Sequence, residues 1–208
     1  MDNKKLIIID CDGVLYPVSE LDVNTVSKAI FYSACRDFNI LTNAFDFEEI
    51  SEQPNYYTFI DNLARQYGIK TDVFMSKMME YIDYSGIKPD NNGVLQKIKD
   101  LSDKYKFCVC SNNHLTHINN VLKAKFNIYA DQMPCEIFDT QYANIDGVFY
   151  AKQSYVFISK LEKHFGINAK NFLWIDDTPN VIDTVKSVGC DGILVTNENR
   201  LIDILNTL

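Results

Sequence analysis

The sequence predicts an α/β fold, a doubly wound parallel sheet interrupted by one helical insertion, and three observations carry that prediction. Five short apolar runs recur and end in small or polar residues. Segments with helical spacing alternate with them in the second half of the chain. Between the first run and the rest lies a long interval, Val18 to Lys88, without a convincing strand.

The first run is "LIIID", Leu6 to Asp10, continuously hydrophobic as suits a strand covered on both faces. "FCVCS" (Phe107 to Ser111), "EIFDT" (Glu136 to Thr140), "FLWIDD" (Phe172 to Asp177) and "GILVT" (Gly192 to Thr196) share that character. In "NNGVLQKIKDLSDKY" the residues Val94, Leu95, Ile98 and Leu101 fall on one helix face. In "SYVFISKLEKHFG" Val156, Phe157, Leu161 and Phe165 do so before a C-terminal Gly166. The interval after the first run reads as three helices: "LDVNTVSKAIFYSACRDF", "PNYYTFIDNLARQYG" opened by Pro54, and "TDVFMSKMMEYID" capped by Thr71. The expected organisation is a core of residues 1–17 and 89–208 with an inserted helical subdomain, 18–88. Its hinges are expected near Tyr16–Val18 and Gly86–Asp90.

The composition narrows the function. An apolar fraction of 47% over 208 residues supports a well-buried core. The net charge of -8 and pI of about 4.8 give no electropositive face for a nucleic-acid polymer or an anionic membrane. Six cysteines show neither a pairing framework nor zinc spacing, which points to a reducing, cytoplasmic compartment. The polar N-terminus and the lack of any apolar run of membrane-spanning length read as a soluble protein.

In open α/β sheets ligands bind beyond the carboxyl ends of the strands. Those ends carry Asp10 and Asp12, then Ser111 with Asn112 and Asn113, then Asp176 and Asp177. Four carboxylates on one sheet edge repel each other unless a cation neutralises them, and hard oxygen ligands suit Mg²⁺. Lys152, at the start of the helix "KQSYVFISKL", is the expected positive partner for a phosphate. Asp10 is the candidate nucleophile toward phosphorus and Asp12 the candidate acid and base. Ser111 and adjacent amides would bind phosphoryl oxygens, and Asp177 with Asp176 would complete the metal shell.

The segments "DCDGVLY", "CVCSNN", Lys152 in "YAKQSYVF", and "WIDDTPNVIDTVKSVG" resemble the four signature segments of the haloacid dehalogenase (HAD) superfamily, in order and across the whole core. The resemblance implies a Rossmann-like core with a helical cap inserted after the first segment. It assigns nucleophile, acid/base, phosphate-binding and Mg²⁺-binding roles to Asp10, Asp12, Ser111 with Lys152, and Asp176/Asp177. Asn112 joins the phosphate set, and Asp10 and Asp12 also count among the metal residues. Within the superfamily the layout, with "NYYTF" and "GIKPD", is most similar to pyrimidine 5'-nucleotidases and related small phosphatases. Members that displace halide lack an acid at the Asp12 position, so its presence favours a phosphatase or a phosphomutase. Val181 is a departure, since related sequences often carry a polar residue there.

The expected activity is therefore Mg²⁺-dependent hydrolysis of a small phosphorylated metabolite, such as a nucleoside monophosphate, through an aspartyl-phosphate. A phosphosugar mutase and a non-catalytic binding protein on the same scaffold remain as alternatives. Most aromatic residues of the insertion read as core filling, with one of the adjacent Tyr56 and Tyr57 left to look outward. His114 and His117 read as solvated or phosphate-adjacent polarity at a helix start, with metal binding as the alternative, and Trp174 as core.

Overall fold

The computed structural model describes residues 5–21, 23–42, 56–145 and 148–208. Five parallel strands form the sheet: β1 (Leu6–Ile9), β2 (Lys106–Cys110), β3 (Glu136–Phe138), β6 (Phe172–Asp176) and β7 (Asp191–Leu194), in the order β3-β2-β1-β6-β7. Between β3 and β6 a small antiparallel hairpin, β4 (Asn144–Ile145) and β5 (Val148–Phe149), appears that the apolar pattern did not foretell.

The alternation of the pleat divides each central strand between two cores. Ile7 and Ile9 of β1, Phe107 and Val109 of β2, and Leu173 and Ile175 of β6 face one side. There they pack on α4 (Val94–Leu101), α5 (Leu115–Phe126) and α9 (Leu201–Thr207). Leu6 and Ile8, Cys108 and Cys110, and Phe172 and Trp174 face the other, against α7 (Tyr155–Phe165) and α8 (Pro179–Ser187). Burial on both faces is why these strands read as unbroken apolar runs. Trp174 is core as expected, and Val181, the departure in the last segment, is buried in the same layer.

One strand and one helix depart from the expected pattern. β3 stops at Phe138 because the Asp139 carboxylate accepts from the Gln141 and Tyr142 amides, which starts α6 (Thr140–Ala143). In α7 Val156 is exposed and Ile158 is buried instead, beside Phe157 and Leu161. Gly166 closes that helix as expected.

Between β1 and α4 lie α1 (Val23–Asp37), α2 (Tyr56–Gln66) and α3 (Thr71–Met79). Pro54 and the side chains of Tyr56 and Tyr57 lie outside the described residues. The helices share a separate core that includes Phe31, Cys35, Ile60, Leu63, Phe74 and Met78. Thr71 does not cap α3: Lys70 holds that position, and the Thr71 hydroxyl donates to the buried Asp61 carboxylate, which also accepts Arg65 Nε at 2.8 Å. The helix ends before Tyr81, and the chain returns through a turn at Tyr84–Gly86. The outgoing and returning segments run side by side. A Cβ on Gly86 would lie 2.4 Å from the Glu20 carbonyl oxygen, and Lys88 N donates to Glu20 Oε2 at 3.1 Å. Ser76 and Thr116 hydroxyls, 2.9 Å apart, join α3 to α5.

Candidate active site

The register of the sheet assembles the site. Ile9 of β1 pairs with Val109 of β2 and with Ile175 of β6, so Asp10 emerges level with the ends of both neighbours. Asp176 is therefore level with Asp10, Ser111 follows one residue past the end of β2 on the same carboxyl edge, and Asp10 N is anchored to Ile175 O at 3.0 Å. Asp10, Asp176 and Asp177 bring carboxylate oxygens within 4.8 Å of one another. Lys152 enters from the chain before α7, not from the helix itself, which starts beyond the Ser154 cap. Its Nζ lies 2.5 Å from Asp10 Oδ1 and 2.7 Å from Asp176 Oδ2. Asp10, Asp176 and Lys152 are 7%, 0% and 4% exposed, so this charge is held almost out of water.

Electrostatics follow from that burial. Desolvation pushes the Asp10 carboxyl up, against Lys152 and with help from Asp176 and Asp12; Lys152 in turn holds its proton more tightly because Asp10 and Asp176 outweigh its own burial. Asp177 is raised by burial and then by Asp176. Three carboxylates and one ammonium leave two uncompensated negative charges. Asp176 Oδ2 has its ion pair with Lys152 but no aligned hydrogen-bond donor. Gly13 leaves Asp177 the space a Cβ would take. A hard oxygen set, a charge deficit of two and an under-satisfied buried oxygen fit a divalent cation such as Mg²⁺.

Asp12 turns elsewhere. It was expected to join the metal set, but its carboxylate lies in a second cluster with Cys11 and His117. Asp12 Oδ1 accepts from Tyr16 Oη at 2.5 Å and His117 Nε2 at 2.7 Å, and Oδ2 accepts from Asn113 Nδ2 at 2.7 Å. Burial opposes its ionisation, but His117, Tyr16 and Asn113 hold the carboxyl well below the usual range. Ser111 Oγ accepts from Asn113 N at 3.0 Å, which leaves its hydroxyl hydrogen to donate. Asn112, expected to hold phosphate, uses Oδ1 to accept Lys152 N at 2.9 Å and so ties the loop after β2 to the lysine.

Both histidines depart from the solvated reading. His114 caps α5 through Nδ1, which accepts from Thr116 N, and His117 is 1% exposed between Asp12 and Tyr84. Tyr16, Tyr84 and His117 were not singled out as site residues. For Tyr16 the available signal was its i+4 spacing from Asp12. A cavity of about 670 Å³ opens beside His114, between Arg65, Lys70 and Asp72 on one side and Gln141 and Asn144 on the other.

No curated protein matches this sequence. Among solved structures, a predicted HAD-like family hydrolase from Porphyromonas gingivalis aligns with a TM-score of 0.60 at 16% identity, covering 98% of this chain and 97% of the other. A HAD-superfamily hydrolase, subfamily IA, variant 1, from Geobacter sulfurreducens aligns at 0.56 and 18% identity over 99% and 100% of the two chains. A HAD family enzyme from Bacteroides thetaiotaomicron, in complex with magnesium and inorganic phosphate, gives 0.56 and 16% over 93% and 94%. At these identities the likeness is one of fold. The sequence model of the haloacid dehalogenase-like hydrolases matches residues 4–189, and the chain belongs to that family.

Proposed function

We propose that this hydrolase is a Mg²⁺-dependent phosphatase of a small phosphorylated metabolite, with nucleoside monophosphates as the leading substrate class. The observation that carries the reading is the buried group of Asp10, Asp176, Asp177 and Lys152, with Asp12 held apart on its own donors. The likeness to a Bacteroides enzyme crystallised with magnesium and phosphate supports it. Mg²⁺ held by Asp10, Asp176 and Asp177 would neutralise the carboxylates and draw charge from the phosphoryl oxygens.

The residues then divide the work. The Asp10 carboxylate attacks phosphorus, the bond to the leaving oxygen breaks, and that oxygen takes a proton from Asp12, which must first gain one on substrate binding because its donors favour the ionised form in the free protein. The Asp12 carboxylate next takes a proton from water, which attacks the aspartyl-phosphate, releases inorganic phosphate and restores Asp10. Ser111 donates to a phosphoryl oxygen, and Lys152 neutralises the transferring group. Residues 18–88 would act as a cap that excludes water in the first step. Six free thiols agree with a reducing cytoplasm, and among the described residues no helix is long and apolar enough to cross a membrane.

The test is phosphate release from nucleoside monophosphates, sugar phosphates and an aryl phosphate, with Mg²⁺ and with EDTA. Release that requires Mg²⁺ supports the reading. No release from folded, metal-loaded protein overturns it in favour of a mutase or a binding role.

A further inference from the structure

A chain of hydrogen bonds runs to Asp12 from the segment that returns from the inserted helices. Tyr84 Oη lies 3.0 Å from His117 Nδ1. His117 Nε2 then faces Asp12 Oδ1 at 2.7 Å. An ionised carboxylate offers only acceptors, so Nε2 must carry a proton. Burial pushes the Tyr84 phenol up, so its hydroxyl stays protonated and can donate to Nδ1. In its neutral form the imidazole has one tautomer that satisfies both neighbours. Removing the Tyr84 hydroxyl leaves Nδ1 without that donor and frees the ring to move its proton. Tyr16, on the outgoing segment, donates to the same Asp12 oxygen. Each of the two segments joining the inserted helices to the sheet thus supplies one hydroxyl to this network.

We infer that His117 is a positioning residue for Asp12, with its tautomer set by Tyr84, so that the aim of the general acid and base depends on the returning segment. The inference rests on the phosphatase reading for its catalytic consequence. His117 acts only through Asp12, because its ring nitrogens are committed to Tyr84 and Asp12 and it belongs to the second cluster, apart from Asp10, Asp176 and Asp177.

The kinetic test compares wild type, His117→Ala, His117→Gln, Tyr84→Phe, Asp12→Asn and Asp12→Asn/His117→Ala on an alkyl and an aryl phosphate. His117→Ala should lower kcat on the alkyl ester about 10- to 100-fold with little change in KM, the scale of losing an orienting partner. The aryl ester, whose leaving group needs less protonation, should lose less. His117→Gln, whose amide can donate from near the Nε2 position, should recover most of the rate, and Tyr84→Phe should show a smaller loss of the same pattern. In the Asp12→Asn background, read on the aryl ester, His117→Ala should cost nothing further. Wild-type kcat in His117→Ala, a loss that multiplies with that of Asp12→Asn, or an effect on KM alone would overturn the inference. If His117→Ala does not fold, full alkyl-ester activity in Tyr84→Phe overturns it.

Nitrogen-15 NMR of the ring separates this inference from the phosphatase reading, because it needs no turnover. The expected result is the Nε2–H tautomer for His117 in wild type, lost or mixed in Tyr84→Phe. An Nδ1–H tautomer in wild type would refute the positioning chain whatever the activity proves to be.

Discussion

Gly13 and Asp177 interlock: a Cβ on Gly13 would lie 1.9 Å from Asp177 Oδ2 and 2.3 Å from its Cγ. Gly13 also has φ of +73°, a conformation that costs a side-chain-bearing residue about 1–3 kcal/mol. The obstacle is a side chain that can swing away, so Gly13→Ala should fold but displace the carboxylate. Its melting temperature in EDTA should drop by several degrees, and Mg²⁺ affinity by calorimetry should weaken about tenfold or more. Unchanged affinity would take Asp177 out of the cation site.

Lys152 is the counter-charge that lets Asp10 and Asp176 stay buried. Lys152→Met keeps much of the volume and removes the ammonium, which leaves all three clustered carboxylates uncompensated. Such a loss costs about 3–5 kcal/mol in a buried pair. The variant should therefore unfold at much lower denaturant than wild type in EDTA. Saturating Mg²⁺ should close part of that gap, since binding to the folded state adds stability and neutralises the same carboxylates. A gap of equal size with and without Mg²⁺ would argue against a shared site.

How far the site could be read from the chain depends on what each residue answers to. The place of Asp10, Ser111, Asp176 and Asp177 on one sheet edge was legible because strand ends mark themselves, an apolar run closing on a polar residue, and a parallel sheet gathers such ends on one edge. Lys152 was legible as a charge but misplaced by a turn, because the Ser154 cap that starts α7 competes with an earlier helix start. His117 could not be read. A polar side chain on the buried face of α5 is an error of pattern unless its partners are known, and those partners, Asp12 and Tyr84, lie 105 and 33 residues away. Thr71 shows the same limit: a good capping residue was drawn instead to the buried Asp61 carboxylate.

His114 makes stability depend on pH. Its Nδ1 accepts from Thr116 N at the start of α5, a role that protonation abolishes. Burial lowers its pKa, against the nearby Asp139 and Asp72 carboxylates. The folded state then binds fewer protons than the unfolded chain, so stability rises with pH through the histidine range. This contribution is complete above the ordinary histidine value of about 6.5 and is lost as pH falls below it. His114→Asn keeps a cap acceptor without a proton to gain. Its urea midpoint should fall less than that of wild type between pH 7.5 and 5, and parallel curves would rule out His114 as the source.

Phe74 tests whether the inserted helices stand as a unit. Its ring is fully buried in their own core, 5.7 Å from Phe38 and 6.3 Å from Phe31 between centroids, and none of the sheet residues belongs to that cluster. Phe74→Ala should cost about 3–5 kcal/mol, the range for removing a buried aromatic ring. If α1 to α3 open cooperatively apart from the sheet, hydrogen exchange should speed up across those helices while β1, β2 and β6 keep wild-type protection. Among the described residues the polar Ser76–Thr116 contact and Ile82, which packs against both cores, join the helices to the sheet layers. Equal loss of protection in the helices and the central strands would mean one cooperative core, and a rigid-body role for residues 18–88 would then have to be abandoned.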